Sequence, residues 1–241
     1  MTNNLKTSLA VFISLVATCL YSKAQVPSDQ NARGDFYRES GIYSMIYSGK
    51  YPDMYPNHIF EESPYLYDDF VSGSLSYRGK LYENVSLKLN LHKEQLYILN
   101  ADVSDRRRLI ELNPKFIDFF IIHGEKFIYF EEPENRSVAP SGYYTLLHDG
   151  NIKVMRHTKK QYIERIDLLS KAVVRSFSST HLYILVQDGR SNKLTGKRSM
   201  LKLMSKHQKE VRHFIRNEHL SFSNPGGDYA RCAAFYETLI K

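Results

Sequence analysis

The sequence predicts an α+β protein: an antiparallel, curved or layered sheet built from β-hairpins, with two or three C-terminal helices packed on it. Three observations predict it. Apolar and polar residues alternate with period two through the centre; Tyr and Phe are abundant (18 and 13) while Trp is absent; and the alternation gives way to helical spacing after residue 198. A chain of 241 residues is long enough to bury a core without staples.

Residues 1–24 read as a secretory signal peptide, with Lys6 as the positive region, Ser8 to Leu20 as the apolar stretch and Ser22-Lys23-Ala24 as a small-x-small cleavage site before Gln25. The apolar stretch is shorter than the ~20 residues that cross a bilayer, so the expectation is an exported, periplasmic or extracellular protein with no transmembrane helix in the mature chain. Cys19 offers a lipid anchor as the alternative, although Thr18 before it is a poor fit to such a site. After cleavage Cys232 is the one remaining cysteine, which excludes an intramolecular disulfide. The net charge of +7 loses two units with Lys6 and Lys23, and export argues against a nucleic-acid partner.

Residues 25–40 form a polar leader without an apolar period, and 41–198 the β-rich region. The latter opens with Tyr43, Tyr47, Tyr51 and Tyr55, four apart, which on a helix would make one stripe. Gly49, Pro52 and Pro56 interrupt any such helix, so these rings read as an aromatic flap over the sheet, with ligand stacking as the sharper alternative. Next, Val85, Leu87, Leu89 and Leu91 alternate with Ser86, Lys88, Asn90 and His92, which puts one face on a core; turns at Arg78-Gly79-Lys80 and Lys93-Glu94 make a meander of about three strands. Further strands follow in RRLIEL, KFIDFFIIH and KFIYFEE, split by Asn113-Pro114 and His123-Gly124-Glu125.

Two stretches echo each other, YTLLHDGNIKVMRHTKK from Tyr144 and YILVQDGRSNKLTGKRS from Tyr183. Both place Asp-Gly between strand-like runs, where Gly supplies a positive φ, so each reads as a hairpin. Two copies do not make a solenoid. Residues 161–178 between them read as a short strand and a basic connector. The helical segment 199–241 starts with Ser199 as N-cap and Ser205 as a second cap, with Val211, Phe214 and Ile215 facing inward. Its last helix takes Asn224 or Asp228 as cap and turns Cys232, Phe235 and Leu239 to the core.

No nucleophile elbow, Gly-rich phosphate loop or H-E-x-x-H pair occurs in the sequence, so no catalytic, cofactor-binding or metal residue is assigned. His207, Glu210 and His213 share a helical stretch, but the outer two are about 120° apart around the axis, poor for one ion. The doublets Glu61-Glu62 and Asp68-Asp69 would point to opposite sides of a strand and make no facing acid pair. Two basic groups, Arg106, Arg107 and Arg108, and Arg156, Lys159 and Lys160, are candidate anion contacts, against the plainer reading of charged strand edges.

The order SPYLYDDFVSGSLSYRGKLYENVSLKLNLHKEQL, two Asp-Gly hairpins and a terminal MLKLMSKHQKEVRHFIRNE helix resembles exported β-rich proteins of Bacteroidetes-type bacteria for which no activity is established. The likeness spans most of 42–240 and implies an envelope location. The functional expectation is a cell-envelope or secreted binding or scaffold module without catalytic activity, whose partner is an envelope protein, glycan or lipid. A carrier of an apolar ligand in the curved sheet, and an enzyme acting on envelope polymers, are the alternatives.

Overall fold

Ten antiparallel strands form among the residues described by the computed structural model: 46, 49–53, 55, 60–101, 107–131 and 138–240. They are β1 (Val71–Tyr77), β2 (Lys80–Asn90), β3 (Gln95–Ala101), β4 (Arg107–Glu111), β5 (Ile117–Ile122), β6 (Glu125–Phe130), β7 (Gly142–Asp149), β8 (Ile152–Ile166), β9 (Val173–Gln187) and β10 (Arg190–Leu194). Their order in the sheet is β10-β9-β8-β7-β6-β5-β1-β2-β3-β4. Two meanders therefore join at the β1–β5 pair, and the link from β4 to β5 crosses the ends of three strands. Arg78 N–H donates to the Phe116 carbonyl (2.8 Å) along that crossing. The signal, the leader, and Tyr43 and Tyr47 lie outside the described residues.

Tight turns hold the meanders. Arg78-Gly79, His123-Gly124 and Asp188-Gly189 each put both residues at positive φ, the geometry whose twist matches paired strands. The two Asp-Gly echoes differ here. Asp188 and Gly189 make the expected turn at φ 51° and 68°, whereas Gly150 lies outside the left-handed region. Asp149 instead stays in β7 opposite Lys153, its carboxylate bonded to that lysine and to Lys126. Identical residue pairs thus serve different turns because flanking partners decide the geometry.

The alternating Val85, Leu87, Leu89 and Leu91 are all buried. On the curled side Phe120 stacks on Phe127 (4.9 Å between centroids) and meets Tyr143 edge-on (5.5 Å). Gly73 in β1 sits where a Cβ would run into the Ile121 carbonyl of β5, so the pivot between the two meanders requires a residue without a side chain.

Three helices follow: α1 (Lys197–Leu203), α2 (Gln208–Asn217) and α3 (Pro225–Leu239). They cover β7 to β10 through a cluster joining Ile152, Val154, Leu185 and Leu194 to Met200, Val211, Ile215 and Cys232. Phe214 and Phe235 stack at 4.2 Å between α2 and α3. The inward face was legible, and so was Asn224 as the α3 cap position, but the caps of α1 and α2 were not. The α1 cap is Gly196, and Ser199 lies inside the helix, accepting from Thr195 N–H (2.8 Å) and donating to the Gly196 carbonyl (2.7 Å). Ser205 opens a short 3-10 turn, and α2 starts after His207 with no side-chain cap. Asn224 occupies the α3 cap position without a side-chain bond, and Asp228 accepts from Phe222 N–H (2.7 Å). Glu237 of α3 fastens the helix to the sheet, taking the Ile152 N–H at 2.7 Å and lying 3.3 Å from His148.

Candidate functional site

Residues 161–178 depart most from expectation, because they form no connector. β8 and β9 are fifteen residues each and pair without a break from Ile152 opposite Gln187 to Ile166 opposite Val173. β7 accompanies β8 only as far as His157, and β10 accompanies β9 only as far as Tyr183. Beyond those points the hairpin leaves the sheet as a two-stranded arm; from Thr158 to Ile166 it extends roughly 27 Å at ~3.3 Å per residue.

A two-stranded ribbon is marginal alone, so its base is braced. Phe177 of β9 lies opposite Tyr162 of β8, and the two rings meet at 5.6 Å. Phe60 (5.2 Å), His92 (5.1 Å) and Tyr55 (5.8 Å) surround Phe177. Beneath them the fully buried Asn90 organises the β2–β3 turn. Its Oδ1 accepts from His92 N–H (3.0 Å) and Lys93 N–H (2.9 Å), and its Nδ2 donates to the Tyr97 hydroxyl (3.3 Å). Tyr55 hydroxyl lies 3.0 Å from His92 Nδ1, and burial pushes that phenol up to about 12.

The same turn locks the curl of the sheet. Although β2 is four strands from β7 in the order, Glu94 beside it reaches β7 and β8: it accepts from His157 Nε2 (2.8 Å) and from Tyr143 N–H (3.1 Å), and lies 3.3 Å from Lys159 Nζ. Tyr144 stacks on the His157 ring at 4.7 Å. Lys160 adds a third tie, with its N–H on the Leu91 carbonyl (3.1 Å) and its Nζ on the carbonyls of Ser63 (2.7 Å) and Tyr65 (2.9 Å).

The far end of the arm has a different character. Asp167 shapes the turn: its Oδ1 accepts from the N–H groups of Ser170 (2.7 Å) and Leu169 (3.0 Å), and Lys171 N–H closes on its carbonyl (2.9 Å). Those donors, the Ser170 N–H first, hold the Asp167 carboxyl below its ordinary range. With its polar groups so satisfied, the turn presents Leu168 at 81% exposure, Leu169 at 94% and Ile166 at 65%, with Val173 also exposed. Behind this cap lies an ionic belt in which Arg165 pairs with Glu61 (3.1 Å), Arg175 with Glu164 (3.2 Å), and Tyr162 hydroxyl donates to Glu164 (2.7 Å).

The candidates from sequence are distributed as follows. Tyr55 belongs to the arm's base, Tyr51 is exposed, and the pair is carried on non-helical chain. Arg107 and Arg108 lie on β4 and Arg106 outside the described residues. Arg156, Lys159 and Lys160 share β8, and each head group has a protein acceptor, Arg156 meeting Glu125 at 3.0 Å. His207 and Glu210 are 3.9 Å apart, and His213 is exposed. Glu61 meets Arg165, and Asp68 accepts from Ser63. Leu168, Leu169, Asn90, Glu94 and His157 carried no motif.

A second feature is a cavity of about 400 Å³ at the β4–β5 crossing, with Lys50, Tyr77, Arg78, Glu111 and Phe116 on its walls. Glu111 is buried, Lys50 Nζ lies 3.3 Å from its Oε1, and the Arg78 guanidinium sits 3.9 Å above the Phe116 ring. Both cations of this cavity thus already have partners. Among the described residues no helix is long and apolar enough to cross a membrane. The chain matches no protein-family model, no curated protein and no solved structure.

Proposed function

We propose that this protein is an exported, non-enzymatic binding module of the cell envelope that engages its partner through the β8–β9 arm. The observation that carries the reading is the pair Leu168 and Leu169, held almost wholly in solvent by a turn whose polar groups are satisfied. Large exposed apolar groups are a liability unless something covers them, and long unaccompanied hairpins are ordinarily blunted with charge at the tip. Here Leu168 and Leu169 occupy the end, between Asp167, whose carboxylate is bonded into the turn, and Lys171. The bracing by Asn90, Lys160 and the rings around Phe177 supports the same view, since a contact surface held by a fixed base loses little freedom on binding. Export follows from the Lys6, Ser8–Leu20, Ala24 pattern and from the resemblance noted above.

Photo-crosslinking in the native envelope tests this directly. A benzophenone side chain in place of Leu169 is expected to give specific adducts, while the same group at exposed Glu83 of β2 gives few. Equal labelling from both positions contradicts an arm-centred contact.

A further inference from the structure

From the distribution of apolar and charged groups along the arm, and resting on the reading that the arm is the contact surface, we infer that its tip is an interfacial anchor that enters the headgroup boundary of an anionic bilayer. Ile166 and Val173 form a pair on one face, with Tyr162 and Phe177 further back; on the other face Val174 lies opposite Arg165, whose guanidinium is drawn to Glu61; Leu168 and Leu169 close the end. The tip is therefore apolar at its end and on the Ile166–Val173 face.

The banding along the arm fits the same medium. Ile166 is two residues from Leu168, so the apolar cap is ~7 Å deep at ~3.3 Å per residue, which matches the ~5–10 Å that amphipathic segments sink below the headgroups. The ionic belt of Glu164, Arg165 and Arg175 begins immediately behind this cap, at the level where headgroups and water lie. Tyr162, whose hydroxyl donates to Glu164, sits next to the belt, and aromatic rings with a polar tip favour that zone. Charge supplies the preference for anionic lipid. The chain still carries +5 once Lys6 and Lys23 leave with the signal, Lys171 stands in the turn beside the leucines, and the Asp167 carboxylate is turned inward onto N–H donors.

The chain has no tryptophan, so Leu169→Trp places a single reporter at the tip. The purified variant is mixed with vesicles of phosphatidylcholine alone, and with vesicles containing about one third phosphatidylglycerol. The expected result is a blue shift of emission and quenching by lipids labelled near the glycerol level, at least about tenfold stronger in affinity on the anionic vesicles. Leu168→Asp with Leu169→Asp, at positions too exposed to affect folding, should lower co-sedimentation at least about tenfold with an unchanged melting temperature. An unshifted emission on both vesicle types overturns the anchor, and an equal response to both overturns the anionic preference. If vesicles fail while the benzophenone at 169 still gives specific protein adducts, the arm remains the contact surface and the partner is a protein. If both fail, the functional reading falls with the anchor.

Discussion

Replacing Glu94 should unfasten the curl of the sheet by an amount that the structure allows to be worked out. Its carboxylate only accepts, so the His157 ring presents Nε2–H to it, and the Tyr143 N–H is its second buried donor. Glu94→Ala leaves both donors without a partner in a buried setting, at ~1–3 kcal/mol each. The contact with the partly exposed Lys159 adds little beyond that. The total is about 3–4 kcal/mol. Glu94→Gln keeps a carbonyl of the same shape and can satisfy one of the two donors, so about half of the loss is expected. In urea, with a slope of ~2.5 kcal/mol/M for a domain of this size, the midpoint should fall by ~1.4 M for Ala and ~0.7 M for Gln. A midpoint for Glu94→Ala within ~0.3 M of the parent would refute the reasoning. It would mean that the β2–β3 turn is held against β7 and β8 by other contacts.

Three further outcomes follow from the same coordinates. Gly73→Ala forces a Cβ against the Ile121 carbonyl, which is backbone and yields only if β5 moves, so a loss of ~1–3 kcal/mol is expected and thermal denaturation measures it. His92 is held below the usual imidazole range by burial, then by Lys159 and Lys93, and His181 by burial and then by Arg156. Both favour the neutral ring when folded, so stability is intact above the unfolded value near ~6.5 and declines as pH falls from there through the depressed folded values; denaturant midpoints at pH 7.5 and 5.5 should differ less in His92→Gln with His181→Gln than in the parent, and identical slopes count against the assignment. Cys232 is fully buried in α3 and burial pushes its thiol up to about 12, so alkylation at pH 8 should be negligible in the native protein and complete in denaturant.

The strands were readable where one face is buried and the other partly wet, because burial writes the alternation: Val85, Leu87 and Leu89 against Ser86 and Lys88 are such a case, and the inward face of α2 and α3 is its helical counterpart. The arm escaped for the converse reason. Every β8 residue from 161 to 166 is exposed, so burial writes no alternation there, and Tyr162, Ile163, Ile166, Leu168 and Leu169 follow no period of two. Its turn is also unmarked by Gly or Pro, since Asp167 supplies the bonds and Lys171 takes the positive φ (57°). Glu94 and His157 are 63 positions apart, and only the curl of the sheet brings them together. Nothing local in either stretch announces the pair. Of the tyrosines four apart, Tyr55 does enter an aromatic cluster, but the members His92, Tyr162 and Phe177 come from three distant segments.

Amide hydrogen exchange with and without isolated envelope membranes tests the central claim most directly. If the arm is the contact surface, amides between Ile163 and Val174 should slow on addition of membranes while those of α2 and α3 keep their rates. Unchanged exchange along the arm, with protection appearing at β4, the helices or the Glu111 cavity instead, would contradict it.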